Sequence, residues 1–163
     1  MVAQFESAGV ARCVAESTLR TMTETLWFQE QLALETPGKG FTDITARVSE
    51  IVQRSRVQLG LCVVFIRHTS ASLVIQENAD PAVLRDLDRW MSELAPEQRG
   101  WEHDDEGPDD MPAHARSALT KTSESIPISA GRLALGTWQA IYVWEHRRRP
   151  HRREIVVQIS GRG

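Results

Sequence analysis

Across residues 25–35, Leu26, Phe28, Leu32 and Leu34 fall on one side of a two-residue alternation, which predicts a half-buried strand. Pro37 to Gly40 supplies a turn. Thr42 or Asp43 then caps a helix in which Ile44, Val48, Ile51 and Val52 recur at helical spacing, ending near Ser55. Residues 61–66 form a nearly continuous apolar, β-branched run, the pattern of a strand buried on both faces. A further strand is expected at 71–75. Asp80 and Pro81 open a second helix that turns Val83, Leu84, Leu87, Trp90, Met91 and Leu94 inward.

Residues 95–110 read as a polar, acidic loop, long enough to suggest a functional segment, and a short helix is expected at 110–119. Strands follow near 125–128, 132–135, 139–146 and 154–160, with Gly131 and Gly136 as punctuation. The last two are expected to pair as a hairpin across an arginine-rich turn. This order predicts an α+β fold with a mainly antiparallel sheet and two or three helices. Residues 1–22 show no clean period and read as a flexible tail, or alternatively as an extra surface helix. Residues 23–163 read as a single domain.

Length and composition fit that picture: 163 residues, 41% hydrophobic and 25% charged, are ordinary for a globular chain without disulfide or metal staples. The net charge of −3 excludes a field that would drive the whole protein onto nucleic acid or an anionic membrane. Charge is concentrated locally instead. From Glu93 to Asp110 there are eight acidic residues against Arg99 alone, while His146 to Arg153 holds five arginines and two histidines. The two cysteines, Cys13 and Cys62, do not make a disulfide framework and suit a reducing compartment. With no signal-like start and no apolar run of about 18 residues, a cytoplasmic location without a membrane partner is expected.

Four constellations could carry chemistry. His68-Thr69-Ser70 ends a buried strand, and Asn78 and Asp80 stand near the following helix start, where polar groups gather at a sheet rim. Asp80 is also a plain helix cap. His103-Asp104-Asp105-Glu106-Gly107-Pro108-Asp109-Asp110 precedes His114; imidazole with carboxylate suits zinc, manganese or iron, and carboxylate with water suits magnesium. Asp110 and His114 are four apart and share a helix face, so one ligand could touch both. A solvated acidic loop is the competing reading. Gly136-Thr137-Trp138-Gln139 brings a flexible backbone, an indole and an amide together, as core or as ligand platform. The arginine turn lacks embedded aromatic residues and reads as a solvated hairpin tip rather than a nucleic-acid surface. Hydrolase-elbow, phosphate-loop and dinucleotide fingerprints are missing from the sequence.

Three ordered blocks, RHTSASLVIQENADP (67–81), HDDEGPDDMPAHARSAL (103–119) and GRLALGTWQAIYVWEH (131–146), resemble the signature blocks of the YjbQ family. The resemblance implies a homotrimer whose signature residues share a pocket near the subunit boundaries. It also implies a secondary thiamine-phosphate synthase, joining a pyrimidine methyl diphosphate to a thiazole phosphate and releasing pyrophosphate. Carried onto this chain, it assigns candidate catalytic roles to His68, Glu106, Asp110 and His114. Substrate contacts fall to Thr69, Asn78, Asp80, Gly107, Thr137, Trp138 and Gln139. A divalent metal, magnesium or zinc, would be held by His68, His103 and His114. A phosphate-bearing small molecule is the expected ligand, and a metal- or phosphate-binding trimer without catalysis is the alternative.

Overall fold

The computed structural model describes residues 24–163. The tail expected at residues 1–22 and Cys13 lie outside the described residues. The first strand, β1 (Leu26–Thr36), buries Leu32, Leu34 and Thr36 on one face, as its alternation predicts. A short strand, β2 (Gly40–Asp43), replaces the expected helix start, and α1 runs over Thr45–Ser55. Asp43 still serves the helix: its Oδ1 accepts from the Thr45 backbone N–H at 2.7 Å. β3 (Leu59–Ile66) and β4 (Ala71–Glu77) follow, then α2 (Pro81–Leu94) and α3 (Asp110–Leu119). The chain closes with β5 (Ser123–Ser129), β6 (Arg132–Leu133), β7 (Gln139–Glu145) and β8 (His151–Arg162).

These strands form two antiparallel sheets, a 5-stranded one in the order β1-β8-β3-β5-β6 and a 3-stranded one in the order β2-β7-β4. With helices added, the fold is α+β. Inward-facing residues of both sheets and the Val48, Ile51 and Val52 stripe of α1 share one hydrophobic core. The start of α1 is pinned to the smaller sheet, since Ile44 N–H donates to the Ile141 carbonyl at 2.9 Å and Ile141 N–H to Thr45 Oγ1 at 2.8 Å.

Three expectations are corrected. β7 and β8 are not a hairpin: β7 pairs with β2 and β4, whereas β8 pairs with β1 and β3 in the other sheet. The segment between them is a crossover from one sheet to the other. β3 is not buried on both faces, because Cys62, Val64 and Ile66 point inward while Leu61 and Phe65 remain about two-fifths exposed, at 40% and 43%. A continuous apolar run hides that asymmetry. In α2, Met91 is the buried residue, and Trp90 and Leu94 are exposed. Asp80 caps that helix, its Oδ1 accepting from Ala82 N–H at 2.8 Å, with Pro81 at the first turn.

A candidate metal site where the acidic loop meets the arginine turn

The acidic loop enters α3 through Gly107, whose φ of +106° is backbone that glycine adopts freely. That bend returns the Asp110 N–H to the Gly107 carbonyl at 3.2 Å and starts the helix on a carboxylate. The face of α3 turned to the protein is polar: Asp110, Arg116 and Ser117 are buried on it beside Pro112 and Ala113. One helical turn separates Asp110 from His114, and their side chains meet, with Asp110 Oδ2 lying 3.5 Å from His114 Nε2. His103, arriving from the loop, places its Nε2 at 2.8 Å from the same oxygen.

His103, Asp110 and His114 thus each offer one ligand atom, all within 4.8 Å of one another. The Asp110 side chain is 2% exposed, whereas His103 and His114 keep 46% and 35% of theirs in solvent. The arrangement is a buried carboxylate beneath two outward-facing imidazoles. His114 Nδ1 lies 3.0 Å from the Thr69 carbonyl. A carbonyl can only accept, so Nδ1 carries a proton, which leaves Nε2, on the Asp110 side, as the nitrogen that can bind a metal. Beside His103 lies a recess of about 410 Å³ lined also by Trp101, Glu102 and Met111.

The other Asp110 oxygen is held by Arg147, from the crossover between β7 and β8. The same guanidinium donates through Nε to Asp109 Oδ2 at 3.2 Å and through Nη2 to the Glu106 carbonyl at 2.9 Å. Burial pushes the Asp109 carboxyl upward, but the Arg148 backbone N–H and the Arg147 side chain outweigh it and hold Asp109 below the usual carboxylate range. The arginine turn is therefore not a solvated hairpin tip at Arg147. It is the clamp that closes the acidic loop, and the two opposite charge runs of the sequence face one another.

A second buried ion pair lies next to it. Glu145, fully buried at the end of β7, binds Arg153 through both carboxylate oxygens, at 2.7 Å from Nε and 2.6 Å from Nη2, and also accepts from Thr36 Oγ1 at 2.7 Å. Burial alone would raise the Glu145 carboxyl; Arg153, the Arg147 backbone and Thr36 together hold it below its ordinary value. His68 stands on this pair, with its Nε2 accepting from the Glu154 backbone N–H at 2.8 Å. Burial and then the Arg153 charge lower its pKa; the ring is neutral because a nitrogen that accepts a hydrogen bond carries no hydrogen.

The structure separates the residues expected to share one pocket. His68 is not a member of the His103, Asp110, His114 group, because its ring nitrogens face Glu154 N–H and Arg153. Thr69 reaches the group through its carbonyl, and Gly107 and Glu106 belong to the loop that frames it. Asn78, Thr137, Trp138 and Gln139 sit elsewhere. Asn78 Nδ2 donates to the Thr137 carbonyl at 3.3 Å and Asn78 N–H to the Trp138 carbonyl at 3.1 Å, where Glu77 pairs with Gln139. The His68 end of β4 is Ala71, paired with Glu145. A strand of that length carries its two ends about 20 Å apart at about 3.3 Å per residue. Strand ends close in sequence here belong to opposite rims, and Asp80, an exposed cap, stays with the Asn78 rim.

No motif in the sequence marks Arg147, Arg153 or Glu145 as site residues, nor the buried Arg116 and His146. Glu145 and His146 ending an apolar strand were a usable signal: charged groups in such a place need buried partners. His146 is fully buried, with Nε2 at 2.9 Å from Ser72 Oγ. Burial, then the neighbouring Arg116 charge, drives its pKa down to about 3.

Residues 30–162 match the family model described as UPF0047 protein YjbQ-like. A UPF0047 protein of Synechocystis is 58% identical over 82% of this chain and 91% of its own length. The UPF0047 protein YjbQ of Escherichia coli is 38% identical over 83% of this chain and 99% of its own. Among solved structures, a YbjQ-like protein of unknown function from Sulfolobus solfataricus superposes with a TM-score of 0.78 at 26% identity, covering 85% of this chain and 99% of that one. These relatives carry a family designation and no enzyme name, and the expectation of a thiamine-phosphate synthase is corrected on that ground.

Proposed function

The chain belongs to the UPF0047 YjbQ-like family, and we propose that it binds a divalent transition metal through His103 Nε2, Asp110 Oδ2 and His114 Nε2. The observation that carries this reading is the gathering of those three atoms within 4.8 Å. Two imidazoles and one carboxylate suit zinc, manganese or iron; magnesium prefers an all-oxygen shell with several waters, so zinc fits the set better. Two supports surround the ligands: the Thr69 carbonyl that fixes the His114 tautomer, and Arg147, which occupies the second oxygen of Asp110. A metal there would supply Lewis acidity on the solvent side, where the two imidazoles are open and Glu106, largely exposed and 4.0 Å from Arg147, is available for acid–base work.

Zinc titration by calorimetry, with metal content checked by mass spectrometry, tests the reading. One zinc per chain is expected, with binding abolished in His103→Ala and His114→Ala. Full stoichiometry in both variants would sink it.

The chain also self-associates in this reading, as a homotrimer, through the outer face of the larger sheet. Three successive rungs there carry no charge: Trp27, Ser160, Leu61 and Pro127 lie across one of them, and Phe65 and Val156 across another. Gln29, Gln158 and Ser125 make the rung between them uncharged but polar. Trp27 is 72% exposed, Phe65 43% and Leu61 40%, and large apolar side chains left in solvent on a face without charge suit a contact surface.

A further inference from the structure

Arg153 uses its guanidinium unevenly. Nε and Nη2 are taken up by Glu145, and Nη2 also donates to Ser70 Oγ at 3.2 Å. Among the described residues, the one polar partner of Nη1 is His68 Nδ1, at 3.4 Å. That neighbour cannot be its acceptor. His68 Nε2 accepts from the Glu154 backbone N–H at 2.8 Å, and a ring nitrogen that accepts carries no hydrogen. The neutral ring therefore holds its one hydrogen on Nδ1. Two donors, one of them on a side chain 4% exposed, stand side by side with no acceptor between them among the described residues.

We propose that His68 Nδ1–H and Arg153 Nη1–H are the two prongs of an oxyanion subsite, receiving one oxygen or two oxygens of a phosphate or carboxylate group. Arg153 is already neutralised by Glu145, so the prongs act as directed donors on a fixed frame rather than as a bare positive charge. The frame is stiff. Glu145 and Ser70 hold Arg153, Thr36 in turn holds Glu145, and a backbone N–H holds His68. The subsite adjoins the metal ligands through one residue: Thr69 follows His68 in the chain, and its carbonyl orients His114. A ligand that reaches both places its anionic group on His68 and Arg153 and its reactive end toward His103 and His114. That last step rests on the metal reading above; the donor pair does not.

The test is calorimetric titration of the full chain, stripped of metal with a chelator, with inorganic phosphate and separately with acetate, while NMR follows the His68 Nδ1–H signal. Phosphate or acetate is expected to bind the stripped protein, to shift that signal and to raise the pH at which His68 titrates. The tighter of the two anions identifies the group the natural ligand carries. His68→Phe is expected to weaken binding at least tenfold. Arg153→Lys keeps a cation on Glu145 but removes Nη1, and is expected to do the same. Undiminished binding in both variants, or no binding to the folded wild-type chain at millimolar anion, overturns the proposal. His114→Ala separates the two readings: lost zinc binding with intact anion binding leaves the subsite standing, and zinc binding without anion binding leaves the metal standing alone.

Discussion

The Thr69 carbonyl accepts from His114 Nδ1 at 3.0 Å, so a residue at the end of one sheet decides which nitrogen a helix presents to the carboxylate of Asp110. The contact joins the first and second signature blocks by a backbone atom, whichever side chain Thr69 carries. Thr69→Ala is accordingly expected to leave zinc affinity within about threefold of wild type, while His114→Gln, which cannot both donate to that carbonyl and bind metal with a ring nitrogen, loses it. A loss in Thr69→Ala as large as in the histidine variant would show that the side chain matters and the carbonyl does not.

Asp110→Asn removes the buried carboxylate that both imidazoles face and that Arg147 clamps. Zinc affinity is expected to fall by about 10-fold to 100-fold or more, by analogy with the loss of metal-supporting groups. Trp138→Ala, at the far rim of β4, is expected to leave it unchanged. Calorimetry on the two variants side by side gives the contrast, and an equal loss in both would contradict the separation of the rims.

Arg147 and Asp109 are both largely withdrawn from solvent, with side chains 14% and 12% exposed. Arg147→Met leaves carboxylates without their donor, at a cost of about 1–3 kcal/mol. Asp109→Asn is expected to cost a similar amount, and the double variant less than the sum, because each single change already breaks the shared clamp. Urea unfolding of the set measures the coupling; strict additivity would mean that the pair does not hold the loop.

Gly38 carries a φ of +118°, and a Cβ there would press into the backbone carbonyl of Arg148. Gly38→Ala therefore combines a disfavoured backbone with a clash against the crossover that delivers Arg147. Destabilisation of more than about 1 kcal/mol is expected, together with weakened zinc binding. A variant as stable as wild type would show that the crossover moves freely.

His146 titrates at about 3 in the folded chain against an ordinary 6.5, because burial and then the Arg116 charge disfavour its cation. Glu145 acts in the opposite sense, and Arg153 and Lys39 act with Arg116. With the folded value depressed, the unfolded chain takes up a proton below pH 6.5 that the folded chain refuses until about pH 3. Stability is unaffected by this group above that window and falls through it by about 1.4 kcal/mol per pH unit. His68, also held below its ordinary value, adds slope of the same sign. Asp109 and Glu145 contribute losses only further down, below their ordinary 3.8 and 4.5. Urea unfolding between pH 7 and pH 5 is expected to show the slope, and His146→Gln to flatten it. An unchanged slope in that variant would assign it elsewhere.

Much of the local structure was written in the sequence. The alternation of Leu26, Phe28, Leu32 and Leu34, the cap and proline at Asp80 and Pro81, and the four-residue step from Asp110 to His114 are short-range signals, and each acts within one element. The three blocks also sufficed to place the chain in its family. What the sequence could not contain is which sheet each strand joins. β7 and β8 are neighbours in the chain and look like a hairpin, yet each buries its apolar face in a different sheet, and the turn between them becomes a crossover that drives Arg147 into the acidic loop. The same long-range choice put His68 on Arg153 and left Trp138 at the opposite rim. Hydrophobic period determines that a segment is a strand and which side is wet; the partner is settled by packing among segments distant in the chain, and the site is assembled from those distant pairings.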